Sequence, residues 1–148
     1  MDEINWFSMF LATITPMLIG LIYYHDKLFG KALIGSSSSA DNITKKPNRM
    51  IVCIISILPS FMLSFFLLVF NNSGIDQEGD FDTFQHGVWH GVFIAVTTVT
   101  PIVVTNAFFN RKNWKYVIIS IFYWIITLAL MGGMLDAMNH WENIVIPE

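Results

Sequence analysis

Four long stretches of this chain contain no charged residue. Residues 4–25, 50–75, 83–110 and 116–135 contain no Asp, Glu, Lys or Arg. About 20 consecutive apolar residues are enough for a helix to cross the hydrocarbon of a bilayer, and each stretch meets that length. A helix on the surface of a soluble protein needs only one apolar face. These stretches are apolar all round, the pattern of a helix surrounded by hydrocarbon or by other helices. The pattern predicts an all-α integral membrane protein with four transmembrane helices, over residues 5–25, 49–71, 84–109 and 114–138. The connecting segments leave no room for a large soluble domain, so residues 1–148 read as a single membrane domain.

Local signals place the ends and bends of these helices. Asn48 is a candidate cap for the second helix. Asp82 with Gln85 three positions later fits a capping box for the third. Trp6, Tyr23, Tyr24 and Trp114 fall where amphipathic rings favour the headgroup level. Pro16, Pro59 and Pro101 lie inside the first, second and third helices. Each removes a backbone donor and is expected to kink its helix. Ser56, Ser60 and Ser64 recur every four residues along the second helix, where hydroxyls can bond a neighbouring helix or the preceding turn. The third helix is the most polar, with Thr97, Thr98, Thr100, Thr105 and Asn106, and Asn106 is expected to bond a neighbouring helix. The first helix has no basic residue before Lys27 and no small-residue cleavage site close behind its apolar core, so it reads as a retained span rather than a signal peptide.

Composition agrees with this and adds an orientation. The chain is 54% hydrophobic and 13% charged, against about 25% charged in ordinary soluble proteins. All eight Lys and Arg flank or fill two connections. Lys27, Lys31, Lys45, Lys46 and Arg49 belong to the first. Arg111, Lys112 and Lys115 belong to the third. The termini and the second connection carry only acidic residues. Basic short loops remain cytoplasmic, so residues 26–48 and 110–113 are expected inside and both termini outside. No basic tract suggests nucleic acid as a partner. The expected partners are membrane lipids and further copies of this chain or other membrane subunits. Cys53 is the single cysteine, which excludes an intrachain disulfide and leaves a packing role.

Two further patterns concern arrangement. Thr15-Pro16 and Thr100-Pro101 each precede six residues, two adjacent aromatics, one polar residue and then a lysine two positions on. This is either an internal repeat that makes two related helical hairpins or a chance resemblance, since the second and fourth helices show no matching echo. Small residues recur every four positions as Gly87, Gly91 and Ala95 on the third helix, and as Ala129, Gly133 and Ala137 on the fourth. Such stripes allow close backbone approach. The short third connection makes these helices antiparallel neighbours, so the stripes are expected to touch each other or another subunit.

If they meet, the stretch "HGVWHG" at residues 86–91 comes to lie near the end of the fourth helix. His86 and His90 are one turn apart, as are Asp136 and His140. These four residues are expected to form one polar cluster at the outer face. They could hold zinc or another first-row metal, less readily haem, or simply bond one another and the neighbouring loop. Without a metal, His90 and Asp136 are the expected pair. No Ser-His-Asp order, CxxC pair or HExxH motif is present. "LFGK" at residues 28–31 lacks the glycines and the following hydroxyl of a phosphate-binding loop, and Gly30 reads as the point where the chain leaves the first helix.

In "YYHDKLFGKAL" at residues 23–33, in the third-helix residues Gly87, Gly91, Pro101 and Asn106 followed by Phe108-Phe109, and in "LMGGMLDAMNHW" at residues 130–141, the chain resembles the DUF1761 family of small bacterial membrane proteins of unknown function. It departs from the usual family pattern, which has Trp in place of Tyr23 and of Leu33. The resemblance implies a four-helix protein of the bacterial inner membrane and supplies no reaction or catalytic residues. The expected function is that of a non-enzymatic accessory or scaffold subunit. A small oligomeric transporter or channel is the first alternative, and a metal- or haem-binding membrane protein the second.

Overall fold

The computed structural model describes residues 4–30, 48–71 and 83–139. Every regular element among them is helical. Helix α1 spans Trp6–Tyr23, α2 Arg49–Asn71, α3 Phe84–Ile94, α4 Thr100–Phe109 and α5 Trp114–Met138. A π-helical turn, Ala95–Val99, joins α3 to α4, and together they make one apolar span from Phe84 to Phe109. Four helices are thus long and apolar enough to cross a membrane. Large apolar side chains such as Phe7, Phe10, Ile54 and Leu58 cover the outside of the bundle, as lipid requires.

Asparagine and threonine start the helices. Asn5 Oδ1 accepts from the backbone N–H of Phe7 and Ser8, Asn48 Oδ1 from Met50 and Asn113 Oδ1 from Lys115. Each satisfies a donor that the first helical turn leaves unpaired. The third span is capped by Thr83, whose hydroxyl accepts from His86 N–H at 3.2 Å. The expected partner at this end, Asp82, lies outside the described residues.

The three prolines act differently. Pro16 and Pro59 sit inside helices that continue through them. Pro101 instead follows the π turn, so the expected single helix over residues 84–109 is divided. Proline removes one donor and its ring crowds the carbonyl of the preceding turn. A wider turn relieves that crowding, and the Ala95 carbonyl takes both the backbone N–H and the hydroxyl of Thr100. The matching threonine of the first helix, Thr15, bonds back to Leu11 in an ordinary helical turn. The two Thr-Pro pairs therefore share side-chain back-bonding but not local geometry.

α5 packs against all the other helices. One apolar cluster, with Met9, Ala12, Leu67, Leu68, Leu128, Met131 and Leu135, fills the half of the bundle holding the start of α1 and the end of α5. A smaller one, Tyr23, Ile119 and Tyr123, lies toward the other end. The turn between α4 and α5 is compact. Lys112 N–H reaches back to the Ala107 carbonyl and Arg111 N–H to Phe108, the paired bonds of a Schellman ending. It places Arg111 at φ 52°, the left-handed position usually given to glycine. Phe109 and Trp114 beside this turn are exposed. Asn106 is exposed too, and its side-chain oxygen accepts from Asn110 at 2.6 Å. The expected bond from Asn106 to another helix is replaced by one within its own helix end, because this face of α4 points away from the bundle.

α3 and α5 make the closest approach. A side chain added at Gly87 would meet the Gly132 carbonyl and Asp136, and one at Gly91 would meet the backbone of Leu128 and Ala129. Gly132 in turn faces the backbone of Gly87 and Gly91. The row on α5 that receives the glycines is therefore Leu128, Gly132 and Asp136. This is one residue before the expected row of Ala129, Gly133 and Ala137. Gly133 instead lies against the side chains of Phe84 and Val88 on the flank of the contact. The Gly132-Gly133 pair allows either register for close approach, and the structure takes the one that also turns Asp136 inward.

Candidate functional site

The helix ends nearest the close approach carry a set of buried polar side chains. Asp136 is 3% exposed. Its Oδ2 lies 3.0 Å from His86 Nδ1, within hydrogen-bond reach. The side chain of His86 keeps 28% of its surface, that of Asp136 only 2%. The carboxylate is thus inside the bundle and the imidazole sits at its edge. A buried carboxylate is costly unless it is paired or hydrogen-bonded, and His86 supplies that partner.

One turn deeper, His90 packs its ring on His86, with centroids 4.1 Å apart. Its Nδ1–H donates to Asn71 Oδ1 at 3.1 Å. Asn71 is 1% exposed and its amide donates to the Gly132 carbonyl at 3.3 Å. That carbonyl is the one facing Gly87. The missing side chains of α3 and α5 therefore bring the histidines, Asn71 and Asp136 within reach of one another.

A second pair ties α1 to α5. Asn5 N–H donates to Asn139 Oδ1 at 2.9 Å, and Asn5 Nδ2 donates to the Met138 carbonyl at 3.0 Å. Asn139 Nδ2 donates to Ser8 Oγ and to the Leu135 carbonyl. All four spans thus contribute a polar group at this end.

His86, His90 and Asp136 come together, while His140 lies outside the described residues. The pairing differs from expectation. Asp136 bonds His86, not His90, because the Leu128–Gly132–Asp136 row places the carboxylate opposite the first turn of α3. Among the described residues, no group of three or more His, Cys, Asp or Glu is arranged to hold a metal. Asp136 and Asn71 instead orient the two imidazoles. Sequence reasoning missed Asn5, Ser8, Asn71 and Asn139. Their one signal is position: three asparagines stand at the boundaries of apolar stretches, where a cap or a solvated loop is the commoner reading.

At the opposite end the side chains are aromatic. Tyr23 stacks on Phe29 with centroids 4.5 Å apart, and Tyr24 and Tyr123 approach to 5.0 Å. Tyr23 Oη donates to the Ile119 carbonyl and Tyr123 Oη to the Pro16 carbonyl. Phe29 is held by a π turn, Asp26–Gly30. A side chain at Gly30 would strike the backbone of Tyr24 and His25, so glycine is required for this fold-back. Beside these rings α1, α2 and α5 line a cavity of about 750 Å³.

Thr97, Thr98 and Pro101 are exposed on the outer face of the third span. The Thr97 hydroxyl satisfies itself on the Phe93 carbonyl at 2.7 Å.

No curated protein and no solved structure matches this chain. A family model, described as "Protein of unknown function (DUF1761)", matches residues 7–135. That match reaches into all four spans and includes Gly87, Gly91, Gly132 and His86, ending one residue before Asp136, and the chain belongs to the DUF1761 family.

Proposed function

We propose that this integral membrane protein is a non-catalytic accessory or scaffold subunit that associates with further copies of itself or with other membrane subunits through its third span. The observation that carries this is the outer face of that span. Thr97, Thr98, Pro101 and Thr105 share it, with Asn106 at its edge, and all five are exposed. The third span is also the least buried of the four. Hydroxyls and amides in a membrane helix favour contact with other helices, and helix–helix hydrogen bonds there contribute about 1 kcal/mol each.

The reading includes an orientation. Arg111, Lys112 and Lys115 lie at the end of the bundle that holds Tyr24 and the start of α2, and the His86–Asp136 end has no Lys or Arg among its described residues. The basic end is assigned to the cytoplasm. In a Cys53→Ser background, a membrane-impermeant thiol reagent should label Gln85→Cys from outside and leave Asn110→Cys unlabelled. The reverse pattern overturns the orientation.

Association is tested by mild-detergent extraction of the native chain followed by mass determination. The expected particle is larger than one chain, and Thr97→Leu with Thr105→Leu shifts it toward the single chain. A wild-type monomer, or an assembly unaffected by the two leucines, contradicts the reading.

A further inference from the structure

Halfway along the bundle α1 and α2 part company. Thr13 Oγ1 lies 3.5 Å from Ser64 Oγ, and both side chains are buried. Pro16 and Pro59 follow about one turn further toward the aromatic end, and both line the 750 Å³ cavity. Exposed Leu21 and Ile55 stand on its rim, so it is open to the side between α1 and α2. The volume falls within the roughly 300–1,000 Å³ of pockets that hold one small ligand.

Its depth matches one leaflet. From Pro16 to Tyr24, α1 rises about 12 Å at 1.5 Å per residue. The hydrocarbon of a single leaflet is about 15 Å deep. The cavity therefore runs from near the middle of the membrane to the level of its aromatic belt. A chain-like apolar body fits that path, with its polar end at Tyr24.

The walls also select a head group. Pro16, Met17, Leu63 and Trp124 make the deep part apolar. Toward the mouth stand Ser60, Ser56, Tyr123 and then Tyr24 and Asp26. Ser56 Oγ already donates to the Val52 carbonyl at 2.8 Å, and Tyr123 Oη donates to Pro16 at 2.9 Å. Both oxygens keep lone pairs but have used their protons, so they call for a ligand that donates. Among the described residues, no Lys, Arg or His lines the cavity. Asp26, the one carboxylate among the described lining residues, already has a partner of its own. Among these residues an anionic head finds no countercharge, and the carboxylate that a cationic head would need is already engaged.

We propose that this cavity binds an uncharged single-chain amphiphile with a hydroxyl head, its chain between Pro16 and Pro59 and its hydroxyl at Ser56 and Tyr24. Monoacylglycerols and polyisoprenoid alcohols share that chemistry. The full chain in phosphatidylcholine nanodiscs, titrated with mono-oleoylglycerol and separately with a polyisoprenoid alcohol, distinguishes the two sources by native mass spectrometry. Saturable binding of one ligand per chain is expected for at least one of them. Oleate and oleylamine are expected to bind about tenfold more weakly.

Ser56→Trp fills the cavity and should weaken binding by about tenfold or more. Gly20→Leu is a second filler at a position where an added Cβ meets Tyr123 Oη at an ordinary 3.5 Å. Leu58→Trp, on the opposite and 67% exposed side of α2, should leave binding within about twofold. Lack of saturable binding by either alcohol, equal binding of oleate or oleylamine, or undiminished binding by both filled variants overturns the proposal.

Discussion

The two ends of this bundle solve the same problem in opposite ways. At the His86 end, glycines on α3 and α5 bring the backbones together, and polar side chains from every span, half-buried on α3 and buried on the others, bond across the gap. At the Tyr24 end the helices separate, aromatic rings fill part of the space, and a cavity remains. Each end uses backbone carbonyls as acceptors for long-range side-chain bonds, and the second has a cavity beside them. Close approach shortens the reach a polar side chain needs, so Asn71 and Asp136 can be satisfied inside the bundle. Where the helices splay, the long phenol of Tyr123 has to span from α5 to Pro16.

This contrast can be broken from either side. The largest effect is expected for His86→Ala. It leaves Asp136 buried without its imidazole, and removing one partner of a buried pair typically costs about 3–5 kcal/mol. Because His86 is partly exposed and water can reach its place, the lower end of that range is expected, read from denaturant unfolding in mixed micelles. A loss below about 0.5 kcal/mol would mean that Asp136 does not depend on this partner.

Gly91→Leu comes next. Its side chain would be driven into the α5 backbone at Leu128, and overpacking of a tight contact costs about 1–3 kcal/mol. Wild-type stability of this variant would show that α3 and α5 are further apart than described. Gly20→Ala, at the open end, sharpens the comparison. Its added Cβ meets only ordinary contact distances to Tyr123. Replacing glycine by alanine within a helix stabilises by about 0.5–1 kcal/mol. A clear destabilisation by Gly20→Ala would indicate that the open end is as tightly closed as the other.

The four spans were legible because their signal is length and charge exclusion, which depend little on tertiary detail. The helix starts at Asn48 and Trp114 followed from the same reading. The glycine rows were legible on α3, where Gly87 and Gly91 stand alone. On α5 two adjacent glycines permitted two registers, and the choice depends on where Asp136 finds its partner. That is a three-dimensional question. The same one-residue difference moved the carboxylate from His90 to His86. Pro101 announced a break but not that the break would be absorbed one turn earlier, at Ala95–Val99. Asn71 and Asn139 carried no signal beyond their place at span ends. Only the assembled bundle turns them inward.

The His86–Asp136 pair is the junction where close packing and polar bonding meet. A double-mutant cycle on that pair tests it most directly. His86→Ala, Asp136→Ala and the double variant are compared with wild type by the same unfolding measurement. The buried carboxylate is the costly element, and the double variant removes it together with its partner. Contacting residues in one network show interaction energies of about 0.5–3 kcal/mol. The account predicts a double variant less destabilised than the sum of the singles by at least about 1 kcal/mol. Simple additivity would show that the two side chains are not coupled, and would contradict the closed end as described.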